Sequence, residues 1–191
     1  MEVGRESFVV VVVGFAGVGK STLCGAAVEG IAGLSKLVSV TTRPPRDGEV
    51  NGVDKFFVGL SEYQRQVDAG ELLVPTETYG NRYALRATDL WGGGPMITEM
   101  HYANLPVFGT HHSRFASICV LPQGTADARS KLGSRGESSL EADLRSAVVS
   151  REHEVLRALA ERDSFDRTFT NAFDLESQQS FVELVAEMLD D

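Results

Sequence analysis

Residues 14–21 have the pattern G-x-x-x-x-G-K-S and lie between an apolar segment and a predicted helix. This pattern is typical of loops that bind nucleotide phosphates, because glycines let several backbone N–H groups converge on phosphate oxygens. Lys20 could neutralise the β- and γ-phosphates, and the hydroxyl of Ser21 could bind Mg²⁺. The pattern therefore predicts a nucleotide site in which Lys20 is a catalytic residue. The residues expected to contact the nucleotide are Gly14, Gly17, Gly19, Lys20, Ser21 and Thr22.

A carboxylate at position 99 is the second candidate metal ligand. Glu99 follows the apolar residues Met96 and Ile97 near the end of a predicted strand. From there it could hold Mg²⁺ through a water molecule, together with Ser21. The alternative is an acid at a strand end that contacts only solvent. Because the chain also carries a phosphate loop, we favour the metal-binding interpretation.

Two arginines three residues apart, Arg43 and Arg46, lie in a predicted loop that contains two prolines. A guanidinium can present two parallel N–H donors, so two of them on one loop suit the binding of a phosphate group. Arginines that are merely solvated on a loop are the alternative. The pair is therefore a candidate anion clamp.

Predicted strands alternate with predicted helices along the chain, which favours an α/β fold with a parallel sheet between helices. Residues 8–13 form an apolar run with five valines, as expected for a strand that is buried on both faces. Asn51-Gly52 predicts a hairpin turn, and Ser61 with Gln64 predicts a helix-capping box. We interpret His111-His112 as surface residues of a strand. The other predicted strands span residues 37–42, 55–58, 71–74, 96–100, 116–121 and 168–171. Helices are predicted after residue 21, Ser61 and Ser138, and a closing helix is predicted from the apolar stripe of Phe181, Leu184, Val185 and Met188.

The composition excludes several classes of protein. The 191 residues include 18 Lys and Arg against 27 Asp and Glu, and the resulting net charge of −9 argues against binding to a nucleic-acid polymer. A hydrophobic fraction of 42% is that of an ordinary globular chain and not of a disordered one. The longest apolar run is much shorter than the ~20 residues of a membrane helix, so we expect no membrane partner. With only two cysteines, the chain is expected in a reducing compartment, the cytoplasm.

Residues 39–54, S-V-T-T-R-P-P-R-D-G-E-V-N-G-V-D, closely resemble the signature of the guanylate kinase family. Residues 79–83 resemble its G-N-Y-Y segment, and residues 134–136 resemble the G-R-G of its lid. The resemblance covers almost the whole chain. It implies a P-loop kinase fold that uses ATP and Mg²⁺ and transfers a phosphoryl group to a small-molecule phosphate acceptor. The implied organisation is a core of residues 1–37, 92–123 and 154–191, an acceptor-binding subdomain of residues 38–91, and a helical lid of residues 124–153.

The resemblance also assigns roles to individual residues. The groups that would grip the acceptor's phosphate are Arg43, Arg46 and Tyr83, and Ser39 would lie near the acceptor base. Arg135 matches a lid arginine at the transferring phosphoryl group, and Arg145 lies one residue from another catalytic lid position. Asn171 falls where the family has an asparagine near the last strand, at the nucleotide.

Three of the positions that depart from the family's pattern are expected to bind the acceptor. Lys55 replaces a phosphate-binding tyrosine, which keeps a donor and adds a charge. Val74 replaces the glutamate that reads the guanine edge, and His101 replaces a second acid that contacts guanine. Losing hydrogen-bond partners for a substrate group can cost ~10⁴–10⁵ in discrimination. We therefore predict a nucleoside monophosphate kinase for which GMP is not the preferred acceptor.

Two other functions stay open from the sequence. The first is a kinase for a phosphate ester that is not a nucleotide, such as a sugar phosphate. The second is a non-catalytic guanylate kinase-like binding module. The intact Gly19-Lys20-Ser21 argues against the second, because a scaffold does not require a phosphate cradle.

Overall fold

The computed structural model describes residues 7–78, 80–91, 94–124 and 139–190, and only the backbone of residues 139–149. Its strands are β1 (Val9–Val13), β2 (Ser35–Lys36), β3 (Val40–Thr41), β4 (Phe56–Phe57), β5 (Leu72–Thr78), β6 (Asn81–Arg86), β7 (Met96–Met100), β8 (Phe115–Pro122) and β9 (Arg167–Asn171). Its α-helices are α1 (Lys20–Gly30), α2 (Leu60–Asp68), α3 (Leu105–His111), α4 (Ser139–Ala160) and α5 (Leu175–Asp190). Two short 3₁₀ helices span Ala87–Leu90 and Tyr102–Asn104.

A five-stranded parallel sheet, in the order β2-β7-β1-β8-β9, forms the centre of the fold. All five valines of β1 are fully buried, because β1 lies in the middle of the sheet between β7 and β8. Helices α1 and α5 pack against each other, and Phe181, Val185 and Met188 of α5 are buried in the main core. The expected α/β fold with a central parallel sheet is confirmed.

A smaller four-stranded sheet, in the order β4-β3-β6-β5, has a separate apolar core. That core contains Val40, Tyr63, Leu72 and Ala84. The predicted strand at residues 37–42 is wrong as a single element, since β2 joins the large sheet and β3 the small one. The predicted hairpin at Asn51-Gly52 is also wrong, because β3 and β4 run parallel.

Strand β5 departs from its prediction in a way that shapes the site. It continues past Pro75 to Thr78, and its pairing with β6 shifts register between Leu73 and Thr76. Within this irregularity Val74 has a φ of 53°, a left-handed conformation that β-branched residues rarely adopt. The bulge lets the strand pass the proline and still pair with β6 on both sides of it.

Several predicted ends of helices also differ from the structure. Helix α2 begins at Leu60 after Gly59 without a side-chain cap, so the predicted capping box at Ser61 does not form. Gly70, with a φ of 70°, follows the end of α2. Helix α3 was not predicted, and His112 at its end is buried instead of lying at the surface. Among the described residues, every helix is too short or too polar to serve as a membrane-spanning segment.

Candidate active site

The phosphate loop connects β1 to α1, and its geometry depends on glycine. Gly17 and Gly19 have φ values of 89° and 91°. A Cβ on Gly14 would lie 2.8 Å from Val18 Cγ1 and 3.0 Å from the carbonyl oxygen of Val120, so this position also excludes larger residues. The loop therefore curls tightly into the start of α1, and it does so only with glycine at these positions.

Asn171, at the end of β9, holds the loop from two strands away in the sheet. Its Nδ2 donates to the carbonyl oxygen of Val18 at 2.9 Å, and its Oδ1 accepts from the N–H of Phe173 at 2.9 Å. Asn171 is 3% exposed, so both contacts are shielded from water. Both ends of the amide are thus occupied by main-chain groups, and its direct contact with the nucleotide stays a prediction.

Lys20 lies at the first residue of α1 and folds back over the loop. Its Nζ donates to the carbonyl oxygens of Gly14 and Phe15, each at 2.9 Å. Burial lowers the pKa of Lys20, and the carboxylate of Glu99 opposes that shift. An ammonium group has three donors, so one stays available for a phosphate oxygen.

Ser21, Lys55 and Glu99 form a hydrogen-bonded cluster beside the loop. The hydroxyl of Ser21 lies 2.8 Å from Oε2 and 3.0 Å from Oε1 of Glu99, and Lys55 Nζ donates to Oε1 at 2.8 Å. Burial would raise the pKa of Glu99, but two nearby ammonium groups and the hydrogen bonds outweigh it and hold that pKa at about 2. A hydroxyl and an ionised carboxylate are oxygen ligands that suit Mg²⁺. These two residues therefore fit the expected metal site.

The arginine pair lies on the other side of the cleft, in the loop after β3. Arg43 Nη2 donates to Oε1 of Glu49 at 2.8 Å, and the backbone N–H of Arg46 donates to Oε2 at 2.7 Å. The guanidinium of Arg43 also lies over the ring of Phe57, 5.5 Å from its centroid. Glu49 is a site residue that the sequence did not single out, although its position three residues after Arg46 was a signal. These contacts fix Arg43 with its charge turned into the cleft.

One cleft of about 520 Å³ contains both groups of residues. Its lining includes every predicted site residue whose side chain is described: Gly14, Gly17, Gly19, Lys20, Ser21, Thr22, Ser39, Arg43, Arg46, Lys55, Val74, Tyr83, Glu99, His101 and Asn171. The structure therefore brings the predicted site together. Arg135 and the side chain of Arg145 lie outside the described residues, so their lid roles stay predictions.

The two residues expected to read the acceptor base, Val74 and His101, present no carboxylate to it. Val74 is 5% exposed and apolar. The Nδ1 of His101 accepts from the N–H of Ala103 at 3.2 Å, so in the neutral ring Nε2 is the donor. That Nε2 lies 2.9 Å from Oε1 of Glu152, on α4. Neither residue offers a free acceptor, and the pairing with Glu152 was not foreseen.

Comparisons with known proteins agree with this geometry. The guanylate kinase family model matches residues 6–90. The guanylate kinase of Rubrobacter xylanophilus is 30% identical over 185 residues, covering 95% of this chain and 94% of the relative. The guanylate kinase of Nostoc sp. is 31% identical over 166 residues, covering 85% of this chain and 81% of the relative. This chain belongs to the guanylate kinase family. A crystal structure of guanylate kinase from Anaplasma phagocytophilum shares the fold, with a TM-score of 0.68 at 19% identity over 97% of this chain and 87% of the other.

Membership in the guanylate kinase family confirms the expected type of enzyme. The protein is a nucleoside monophosphate kinase-type phosphotransferase, and its cofactors are ATP and Mg²⁺. The phosphate loop and the pair of Ser21 and Glu99 are the parts of the described structure that fit these cofactors.

Proposed function

We propose that this protein transfers the γ-phosphoryl group of ATP to a nucleoside monophosphate and that GMP is not its preferred acceptor. The cleft carries this proposal, because it joins the phosphate loop at one side to the clamp of Arg43 and Arg46 at the other. Phosphoryl transfer requires the donor and acceptor phosphates to lie side by side between fixed cations. A single cleft with cations on both sides supports that arrangement.

The donor side is formed by the phosphate loop and its neighbours. Lys20 would contact the β- and γ-phosphates and stabilise the charge that develops during transfer. Ser21 and Glu99 would hold Mg²⁺, which neutralises phosphate charge when it is bound. We assign Arg135 and Arg145 to the lid, where they would close over the transferring group.

The acceptor side is formed by Arg43, Arg46 and Tyr83. Burial lowers the pKa of Arg43, but its hydrogen bond to Glu49 more than compensates and raises that pKa above its ordinary value. Arg43 is therefore always charged, and Glu49 orients it while leaving some of its five N–H donors for a phosphate. These residues belong to the proposed acceptor subdomain, residues 38–91, which contains the small sheet and its own core.

The expected acceptor preference follows from positions 74 and 101. Guanine presents two donors, N1–H and the N2 amino group, and a buried donor without a partner costs ~1–3 kcal/mol. Val74 cannot accept a hydrogen bond, and both nitrogens of His101 are already engaged. The relatives are named guanylate kinases, and that name favours GMP as the acceptor. The kcat/KM for GMP is therefore the value with which every other acceptor has to be compared. Those relatives are kinases by name and give no support to a sugar-phosphate kinase or a non-catalytic module.

A substrate panel tests the proposal directly. We expect kcat/KM to be higher for at least one of AMP, CMP, UMP and dTMP than for GMP. Val74→Glu should raise the value for GMP relative to the others by about tenfold for each 1.4 kcal/mol regained, whereas Val74→Leu should not. Ribose phosphates serve as the control for an acceptor without a base. A preference for GMP of a hundredfold or more in the unmodified protein would show that another group reads guanine.

A further inference from the structure

Lys55 occupies an unusual place between the two halves of the cleft. Its Nζ donates to Oε1 of Glu99 at 2.8 Å and to the hydroxyl of Ser39 at 3.0 Å. The side chains of Lys55 and Glu99 are only 13% and 14% exposed, so the ion pair is largely shielded from water. Lys55 precedes β4 of the small sheet, and Glu99 lies on β7 of the large sheet. The ion pair therefore links the acceptor side to the donor side.

The same carboxylate is the proposed holder of Mg²⁺. Ser21 contacts both of its oxygens, and Lys55 contacts Oε1. A hydrated Mg²⁺ beside Ser21 and the ammonium of Lys55 would both need this one negative charge. Two cations that close to each other repel, and the effect is strong where water is largely excluded. As long as no other anion lies beside its ammonium group, Lys55 therefore competes with the metal for Glu99.

Such an anion would arrive with the acceptor. Lys55 lines the same cleft as Arg43 and Tyr83, which are the proposed contacts of the acceptor's phosphate. A phosphate bound there would attract the ammonium of Lys55 and draw it away from Glu99. The carboxylate would then be left to the water ligands of the metal.

We propose that Lys55 couples the two substrate sites, so that binding of a phosphate-bearing acceptor strengthens binding of Mg²⁺ with the ATP. The proposal rests on the function proposed above and adds a positioning residue to it. Coupling of this kind is reciprocal, so Mg²⁺ strengthens acceptor binding by the same factor. Couplings between sites in proteins are typically 5- to 150-fold.

Calorimetric titration of Mg²⁺ into the protein with a non-hydrolysable ATP analogue measures this coupling without catalysis. Titrations are run without acceptor and with each of GMP, AMP, CMP, UMP and dTMP. We expect a monophosphate that binds to strengthen Mg²⁺ binding at least fivefold in the unmodified protein. In Lys55→Met, Mg²⁺ should bind at least fivefold more tightly without a monophosphate, and adding one should change nothing further. Lys36→Met is the matched control, because Lys36 lies on β2 outside the cleft, and it should behave as the unmodified protein does.

Two results would overturn the proposal. One is weaker Mg²⁺ binding by Lys55→Met in the absence of a monophosphate, which would mean that Lys55 only holds Glu99 in place. The other is an unchanged Mg²⁺ affinity in the unmodified protein when a monophosphate is bound. Lys55→Gln, which keeps a donor without the charge, repeats the test if Lys55→Met does not fold. Failure of every monophosphate to bind would instead refute the proposed function, and the titrations without acceptor would still decide the competition for Glu99.

Discussion

Replacing Gly19 with alanine should distort the phosphate loop, and the structure allows the loss of unfolding free energy to be worked out. Gly19 has a φ of 91°, and an added Cβ would lie 2.5 Å from Nδ2 of Asn171. A left-handed conformation costs an L-residue ~1–2 kcal/mol. Displacing Asn171 also breaks its hydrogen bond to Val18 and leaves buried polar groups without partners, at ~1–3 kcal/mol. We expect Gly19→Ala to lose ~2–5 kcal/mol of unfolding free energy.

Gly33 provides a matched control for this substitution. Its φ of 83° is similar, but an added Cβ would meet no atom within 4 Å. Gly33→Ala should therefore lose only the conformational term, ~1–2 kcal/mol. Urea unfolding monitored by circular dichroism gives both free energies. Binding of an ATP analogue, followed by calorimetry, should be lost in Gly19→Ala and kept in Gly33→Ala.

The double variant Gly19→Ala/Asn171→Ala separates the clash from the backbone term. Asn171→Ala removes the group that the new Cβ meets. The double variant should therefore lose less unfolding free energy than the sum of the losses in the two single variants. Equal losses for Gly19→Ala and Gly33→Ala would refute the packing argument. Normal nucleotide binding by Gly19→Ala would refute the assignment of the loop itself.

Two further substitutions test the donor side. Lys20→Ala should reduce kcat by about 100-fold or more while the melting temperature changes little, because the lost charge acts on the transition state; undiminished turnover would exclude the phosphate-loop role. Glu99→Gln should raise the Mg²⁺ concentration needed for half-maximal activity, and an unchanged requirement would return Glu99 to a purely structural role. The pKa of Glu99 is held at about 2, below its ordinary 4.5, so its stabilising effect in the metal-free protein is full above pH 4.5 and lost as the pH falls toward 2. The unfolding free energies of the unmodified protein and of Glu99→Gln should therefore converge as the pH falls from 4.5 toward 2.

The central sheet and the phosphate loop were predictable because their signals are local. The five consecutive valines of β1 point to both faces of the strand, so both faces have to be buried. The spacing of the glycines after them indicates a tight turn into a helix. The small sheet was predicted poorly for the opposite reason. Strands β3 and β4 have two residues each, and their parallel pairing depends on partners far away in the chain. A turn at Asn51-Gly52 suits a hairpin locally, and only the tertiary structure excludes one.

The members of the site were predictable, but their partners were not. The residue types of Arg43, Lys55 and His101 show what each could bind. Their contacts with Glu49, Glu99 and Glu152 depend on how separate elements pack. His112 illustrates the same limit, because only the packing of α3 shows that it is buried with its Nε2 2.7 Å from the carbonyl oxygen of Ser7.

The placement of Val74 explains how acceptor choice can change while phosphate chemistry is kept. Apart from Tyr83 on β6, the proposed phosphate-binding groups come from the loops after β1 and β3, whereas Val74 lies in the bulge of β5. A β-branched residue at a φ of 53° carries a conformational cost of order 1–3 kcal/mol and persists only where its surroundings fix it. Here burial and the register shift before Pro75 fix it, at the position expected to face the acceptor base. A substitution at this bulge alters the surface that is expected to face the acceptor base. Lys20 and Arg43 lie on other elements, so their hydrogen bonds are kept. That separation is why the panel with Val74→Glu tests specificity without also testing catalysis.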